Sequence, residues 1–189
     1  MSKTCVGLGS LLALSMLCAV QAGAQQSATV EKEPKTKLEA FQAQAGAVVI
    51  KGYSHIGKIT EAGFVEITAM EFTGATTGKK QTGVAIDIKD PIIGNNNRSF
   101  IDYDEVDSLL KGIDYISKAT ADVTKVGQFE ATYTTKGYFR STTYSSSGKI
   151  AASVSSGYIR PAQAFLSLQE LGELRAMIAQ AKQKLDSVK

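Results

Sequence analysis

From Ala45 onward the chain is written in short stretches of alternating apolar and polar side chains bounded by glycines. A period of two marks strands with one buried and one wet face, the usual condition of antiparallel sheets. Residues 47–53 are apolar and β-branched. Residues 64–72 set Val65, Ile67 and Ala69 against Glu66 and Thr68, and Val84, Ile86 and Ile88 alternate with Ala85, Asp87 and Lys89. The stretch 90–99, with Pro91, Gly94 and three asparagines, reads as the loop that ends this strand group. The period then changes to that of a helix. Val106, Leu109, Leu110, Ile113 and Ile116 form an apolar stripe, with Asp102 placed to cap it and Glu105 at the capping-box spacing.

The second half runs through the same plan. Strands are expected at 128–135, 138–145 and 150–156, with turns at Lys136-Gly137 and Ser147-Gly148. A linker containing Pro161 leads to Ser167 and Glu170, a second capping box. Leu168, Leu171, Leu174, Ile178, Ala181 and Leu185 then make the stripe of a long C-terminal helix. Set side by side, Phe100-Ile101-Asp102 faces Phe165-Leu166-Ser167, and Glu105, Leu109 and Ile113 face Glu170, Leu174 and Ile178. The expected fold is therefore α+β: antiparallel sheets covered by helices, in tandem β-β-β-α units over about 45–118 and 126–187 of one domain, 45–189. Before it, 25–44 is a polar lead with a short helix over 35–44.

The first 24 residues read as a cleavable export signal. Lys3 precedes an apolar run from Val6 to Val20, too short to span a bilayer, and Ala22-Gly23-Ala24 has the small residues of a cleavage site. Cleavage there leaves 165 of the 189 residues, a chain secreted or periplasmic, without a membrane span and without Cys5 and Cys18. Such a chain has no thiolate nucleophile, disulfide or cysteine metal site. Its 20 basic against 18 acidic residues give no strong electrostatic draw toward nucleic acid or an anionic membrane.

Chemistry is sparse. His55 is the single histidine, placed in a turn by its neighbours, so imidazole-based zinc or iron sites and a serine triad are not expected. The run from Gly74 to Lys80 has one residue too few between its glycines for a phosphate loop and leads into a strand, so it reads as a hairpin turn. Asp102, Asp104, Glu105 and Asp107 begin a helix rather than a calcium loop. The Ser-x-x-Lys spacing from Ser146 to Lys149 falls on a tight turn, not on a helix start. Asn97-Arg98-Ser99 is a formal glycosylation sequon. No catalytic, metal or cofactor site is expected.

The most informative cluster is aromatic and basic. Tyr138, Arg140 and Tyr144 share one parity of a strand, near Tyr133, Lys136, Lys149, Tyr158 and Arg160. If that parity is exposed, the face formed by Tyr133, Tyr138, Arg140, Tyr144 and Arg160 suits a glycan or a single-stranded nucleic acid. If it is buried, the aromatics belong to the core. In element order, sheet then covering helix and doubled from about residue 45, the chain resembles the Whirly-type single-stranded-DNA-binding fold. That resemblance implies a nucleic-acid ligand, which an export signal argues against. The expected function is a non-catalytic binding or interaction protein, its partner a protein or small ligand. A hydrolase using carboxylates such as Glu66, Asp87 or Glu130 is an alternative. Self-association through sheet edges is another.

Overall fold

The alternating segments pair into two antiparallel sheets of four strands, each a meander in chain order. A computed structural model describes residues 33–61 and 63–188. The expected signal segment, both cysteines and residues 25–32 of the polar lead lie outside them. The first sheet holds β1 (Val49–Ile59), β2 (Phe64–Gly74), β3 (Lys80–Lys89) and β4 (Asn96–Asp102), preceded by α1 (Lys37–Gln42) and followed by α2 (Val106–Ile116). The second holds β5 (Glu130–Thr134), β6 (Phe139–Ser146), β7 (Lys149–Ser156) and β8 (Ala162–Leu166), followed by α3 (Leu168–Asp186). The α+β class and the long C-terminal helix are as expected.

Each sheet carries one strand beyond the three expected. β4 begins inside the asparagine run, where four polar residues in succession, Asn96 to Ser99, show no alternation; it pairs with β3 from Gly83↔Asp102 to Lys89↔Asn96. β8 starts directly behind Pro161, whose turn signal hides five strand residues paired to β7. β1 also runs on through His55 to Ile59. Its register steps between His55 and Gly57, and the extra residue inverts the parity, so no continuous alternation survives in the sequence.

The inward faces of both sheets and the stripes of α2 and α3 form one core, including Ile67, Ile86 and Ile101 from the first sheet and Phe139, Val154 and Ala164 from the second. The helices cross over. α3 lies mainly on β1, β2 and β3, with a smaller contact to β7 and β8, whereas α2 lies on β5 and β6, so each helix chiefly covers the sheet of the other half. Where α3 crosses β1, Met177 fills the space that a Cβ on Gly57 would need; where α2 crosses β5, Tyr133 fills the space over Gly112. The large partner sits on the helix in one crossing and on the strand in the other. Asp114 and Arg175 join α2 to α3 through two bonds of 2.9 and 2.8 Å. Between the sheets, the buried Ser99 and Ser156 hydroxyls share a hydrogen bond of 2.7 Å.

α1 covers the outward face of the first sheet, packing Leu38 and Phe41 with Met70, Phe72, Ala85 and Phe100. This explains why β3 is buried on both faces. Thr36 and Glu39 form its capping box, and the remaining first-turn donors are met from outside. Asp102 accepts from the Lys37 and Leu38 amides at 2.9 and 3.2 Å. Asp102 therefore does not cap its own helix, as its spacing predicts. A 3-10 turn over Tyr103–Glu105 intervenes, so the carboxylate of Asp102 is turned to α1 instead. Glu105, expected in the same box, accepts the Lys136 amide at 2.9 Å. Ser167 is followed by α3 without such a turn, and its capping box with Glu170 forms as read.

Candidate functional site

The outward face of the second sheet is laid out in three rows across the strands. Glu130, Tyr144 and Ala151 form one, and Thr132, Thr142, Ser153 and Phe165 the next. Thr134, Arg140, Ser155 and Gln163 form the third. With strands roughly 4.8 Å apart, a full row spans about 14 Å. The rows are dominated by hydroxyls: Thr132 and Thr142 bond to each other at 2.9 Å, and Thr132 donates to Glu130 at 3.2 Å. Among the described residues no helix covers this face.

Of the five residues singled out from the sequence, Arg140 and Tyr144 stand here, both half-buried, four residues apart on one strand. Tyr133 does not. It alternates inward, under α2 at Gly112, and burial, followed by the nearby Glu105, pushes its phenol up from the usual value. Tyr138 has left the strand with φ of 62°, and its ring lies 5.0 Å from that of Tyr158. Arg160 belongs to the β7–β8 loop, where its carbonyl accepts from Asn95 at 2.7 Å. The expected cluster is thus divided among a sheet face, the core and a loop.

The sequence sets Phe165 against Phe100, but not on a sheet face, because β8 is not expected from it. Phe165 occupies the place in its sheet that Phe100 occupies in the first: each lies opposite the third strand, in line with Ser153 and Thr142 or with Ala85 and Thr68. Phe100 is 8% exposed beneath α1, and Phe165 is 43% exposed. The second sheet has no counterpart to α1 over it among the described residues.

The uncovered part of the first sheet's outward face is ionic. His55 stands on β1 rather than in a turn, 62% exposed, with Nδ1 2.9 Å from the Glu66 carboxylate. Arg98 grips Asp87 with two bonds of 2.8 Å, which raises the guanidinium further. Glu66 and Asp87 are direct neighbours across β2 and β3, so two of the three expected carboxylates do come together. Each is already engaged, Glu66 by His55 and Asp87 by Arg98. Glu130 is on the other sheet. Lys51, Tyr53, His55, Thr68, Met70 and Arg98 line a basin of about 340 Å³ beside these pairs. A hollow of about 460 Å³ lies at the end of α2, but Asp114 on its wall is committed to Arg175.

The acidic group at the start of α2 is dispersed in the same way. Asp102 holds α1, Asp104 pairs with Lys37 at 2.7 Å, Glu105 holds the β5–β6 turn, and Asp107 pairs with Lys182 at 2.7 Å. Among the described residues no three side chains of the metal-ligating types gather, and no helix is long and apolar enough to cross a membrane.

This geometry defines a two-sheet α+β protein with one outward face partly covered by a short helix and the other open. No protein-family model, curated protein or solved structure matches the chain. The likeness in element order to the Whirly-type fold therefore has no structural match behind it.

Proposed function

We propose that the protein is an exported, non-catalytic binding module that takes a neutral, hydroxyl-rich ligand, a glycan, across the outward face of β5–β8. The observation that carries the reading is Phe165, left 43% exposed where the equivalent Phe100 is covered. Phe165 and Tyr144 offer aromatic faces on adjacent rows, and the Thr and Ser hydroxyls between them offer donors and acceptors. An apolar surface with convergent polar groups is what small-ligand recognition uses. The face carries Arg140 and Lys149 against Glu130, which favours a neutral polymer over single-stranded nucleic acid, whose backbone needs a basic groove. Engagement of Glu66 by His55 and of Asp87 by Arg98 favours binding over carboxylate hydrolysis. The shared order of four strands and a helix supports reading the two halves as an internal duplication.

The test is affinity electrophoresis of the chain from Gln25 in gels containing soluble glucans, xylan or mannan. Retardation is expected in at least one polysaccharide. It should weaken about tenfold, equivalent to roughly 1.4 kcal/mol, in Tyr144→Ala and in Phe165→Ala with circular dichroism unchanged. No retardation across the panel, or retardation unaffected by both substitutions, would remove the proposal.

A further inference from the structure

At one end of the sheets two loops present large apolar side chains to water. Ile92 and Ile93 on the β3–β4 loop are 77% and 65% exposed; Tyr158 and Ile159 on the β7–β8 loop are 63% and 73% exposed. Single exposed apolar residues are ordinary, but four on two neighbouring loops are not.

The loops are not slack. Asn95 donates from its side chain to the carbonyls of Arg160 and Pro161 at 2.7 and 3.2 Å, and Asn97 reaches the Arg160 carbonyl at 3.1 Å. The buried Asp90 accepts from the amides of Ile92 and Ile93 at 2.7 and 3.0 Å, and its other oxygen accepts from Gln163 on β8 at 3.2 Å. Three polar side chains thus fix both loops to each other and to the sheet edge. Tyr158 is further held by the ring of Tyr138. This network orders the loops while leaving their apolar residues outside the core, so nothing in folding accounts for those side chains.

We infer that this paired tip is a membrane-docking surface fitted to the headgroup region of an anionic bilayer. The charge pattern selects the occupant. The exposed charges beside these apolar side chains are cations, Lys89 at the end of β3 and Arg160 on the β7–β8 loop, while the one carboxylate of the two loops, Asp90, is buried and bonded to amides. Apolar loop residues flanked by cations suit a surface where acyl chains lie beneath anionic headgroups, and a tyrosine suits the boundary between them. This surface is separate from the glycan face proposed above and does not depend on it.

The chain from Gln25 contains the whole unit Glu33–Lys189 and lacks the apolar run Val6 to Val20. It is sedimented with vesicles of equimolar phosphatidylglycerol and phosphatidylcholine, and with vesicles of phosphatidylcholine alone. Binding is expected on the mixed vesicles and should weaken as salt is raised. Ile92→Asp combined with Ile159→Asp should lower partition about tenfold with the thermal melt unchanged, and Ile93→Ser should lower it less. Arg160→Gln should act on the mixed vesicles alone, by several-fold. Absence of binding to the mixed vesicles, or equal binding by all variants, overturns the inference. So does an oligomer, seen by sedimentation velocity without lipid, that the same substitutions dissociate; the tip would then join copies of the chain.

Discussion

Gly112 and Tyr133 meet where α2 crosses β5, and their fit shows how much of this core depends on single side chains. A Cβ at Gly112 falls among the ring carbons of Tyr133, so the ring or the helix must shift to admit it. Gly112→Ala should therefore destabilise the protein by about 1–3 kcal/mol despite the better helix propensity of alanine. Urea denaturation measures this. An unchanged midpoint would mean that the ring yields freely. The complementary crossing, Gly57 under Met177, should tolerate alanine better, because a thioether has more rotamers than a phenol. Neither glycine was legible from the sequence. A glycine inside an apolar stripe shows a missing side chain but not whose side chain occupies the space.

At the scale of elements, the Asp90 loop should make the protein sensitive to acid. The amides of Ile93, Ile92 and Gln163 hold its carboxyl below the ordinary value, against the opposing effect of burial. A carboxyl whose folded pKa is depressed contributes stability fully above its unfolded value, about 3.9, and loses it as pH falls through the folded value. Asp90→Asn should be less stable than the native chain at pH 7, with the difference shrinking as pH drops through this range. Parallel stability curves from pH 7 to acid would contradict that account. Elements with a clear period or a bounded cap were readable: α2, α3, β2, β3 and the Ser167 box. Elements defined by their partners were not. β4 opens on four polar residues and acquires its identity from the edge of β3, and Asp102 serves the other helix because its partner, α1, is more than sixty residues away. The aromatic cluster failed for a similar reason. Strand parity put Tyr138 with Arg140, but its positive φ turns it out of the strand, and Tyr133 sits on the opposite parity of the neighbouring strand.

Across the whole molecule, residues 33–189 form one compact unit, although the two halves share one order of elements. Phe139 and Val154 lie in the same core as Ile67 and Ile86, and each helix chiefly covers the opposite sheet. Heat or urea should therefore unfold the unit in one transition, with far-ultraviolet and tyrosine signals coincident. A fragment of residues 119–188 should not fold alone, because α2, the cover of β5 and β6, is missing from it. Two separable transitions, or a folded fragment, would show the halves to be independent.

The crossed helices also set the order in which the chain can become a protein during synthesis. The first sheet is complete by Asp102, yet the helix that closes its inward face, α3, begins at Leu168. For those intervening residues the nascent chain holds an apolar sheet surface with no lid, and pairing over such sequence distance is slow. A ribosome-bound chain stopped before α3 should stay sensitive to protease and bind chaperones, and protection should arise only when α3 emerges. The first sheet gains its lid only once α3 has been made.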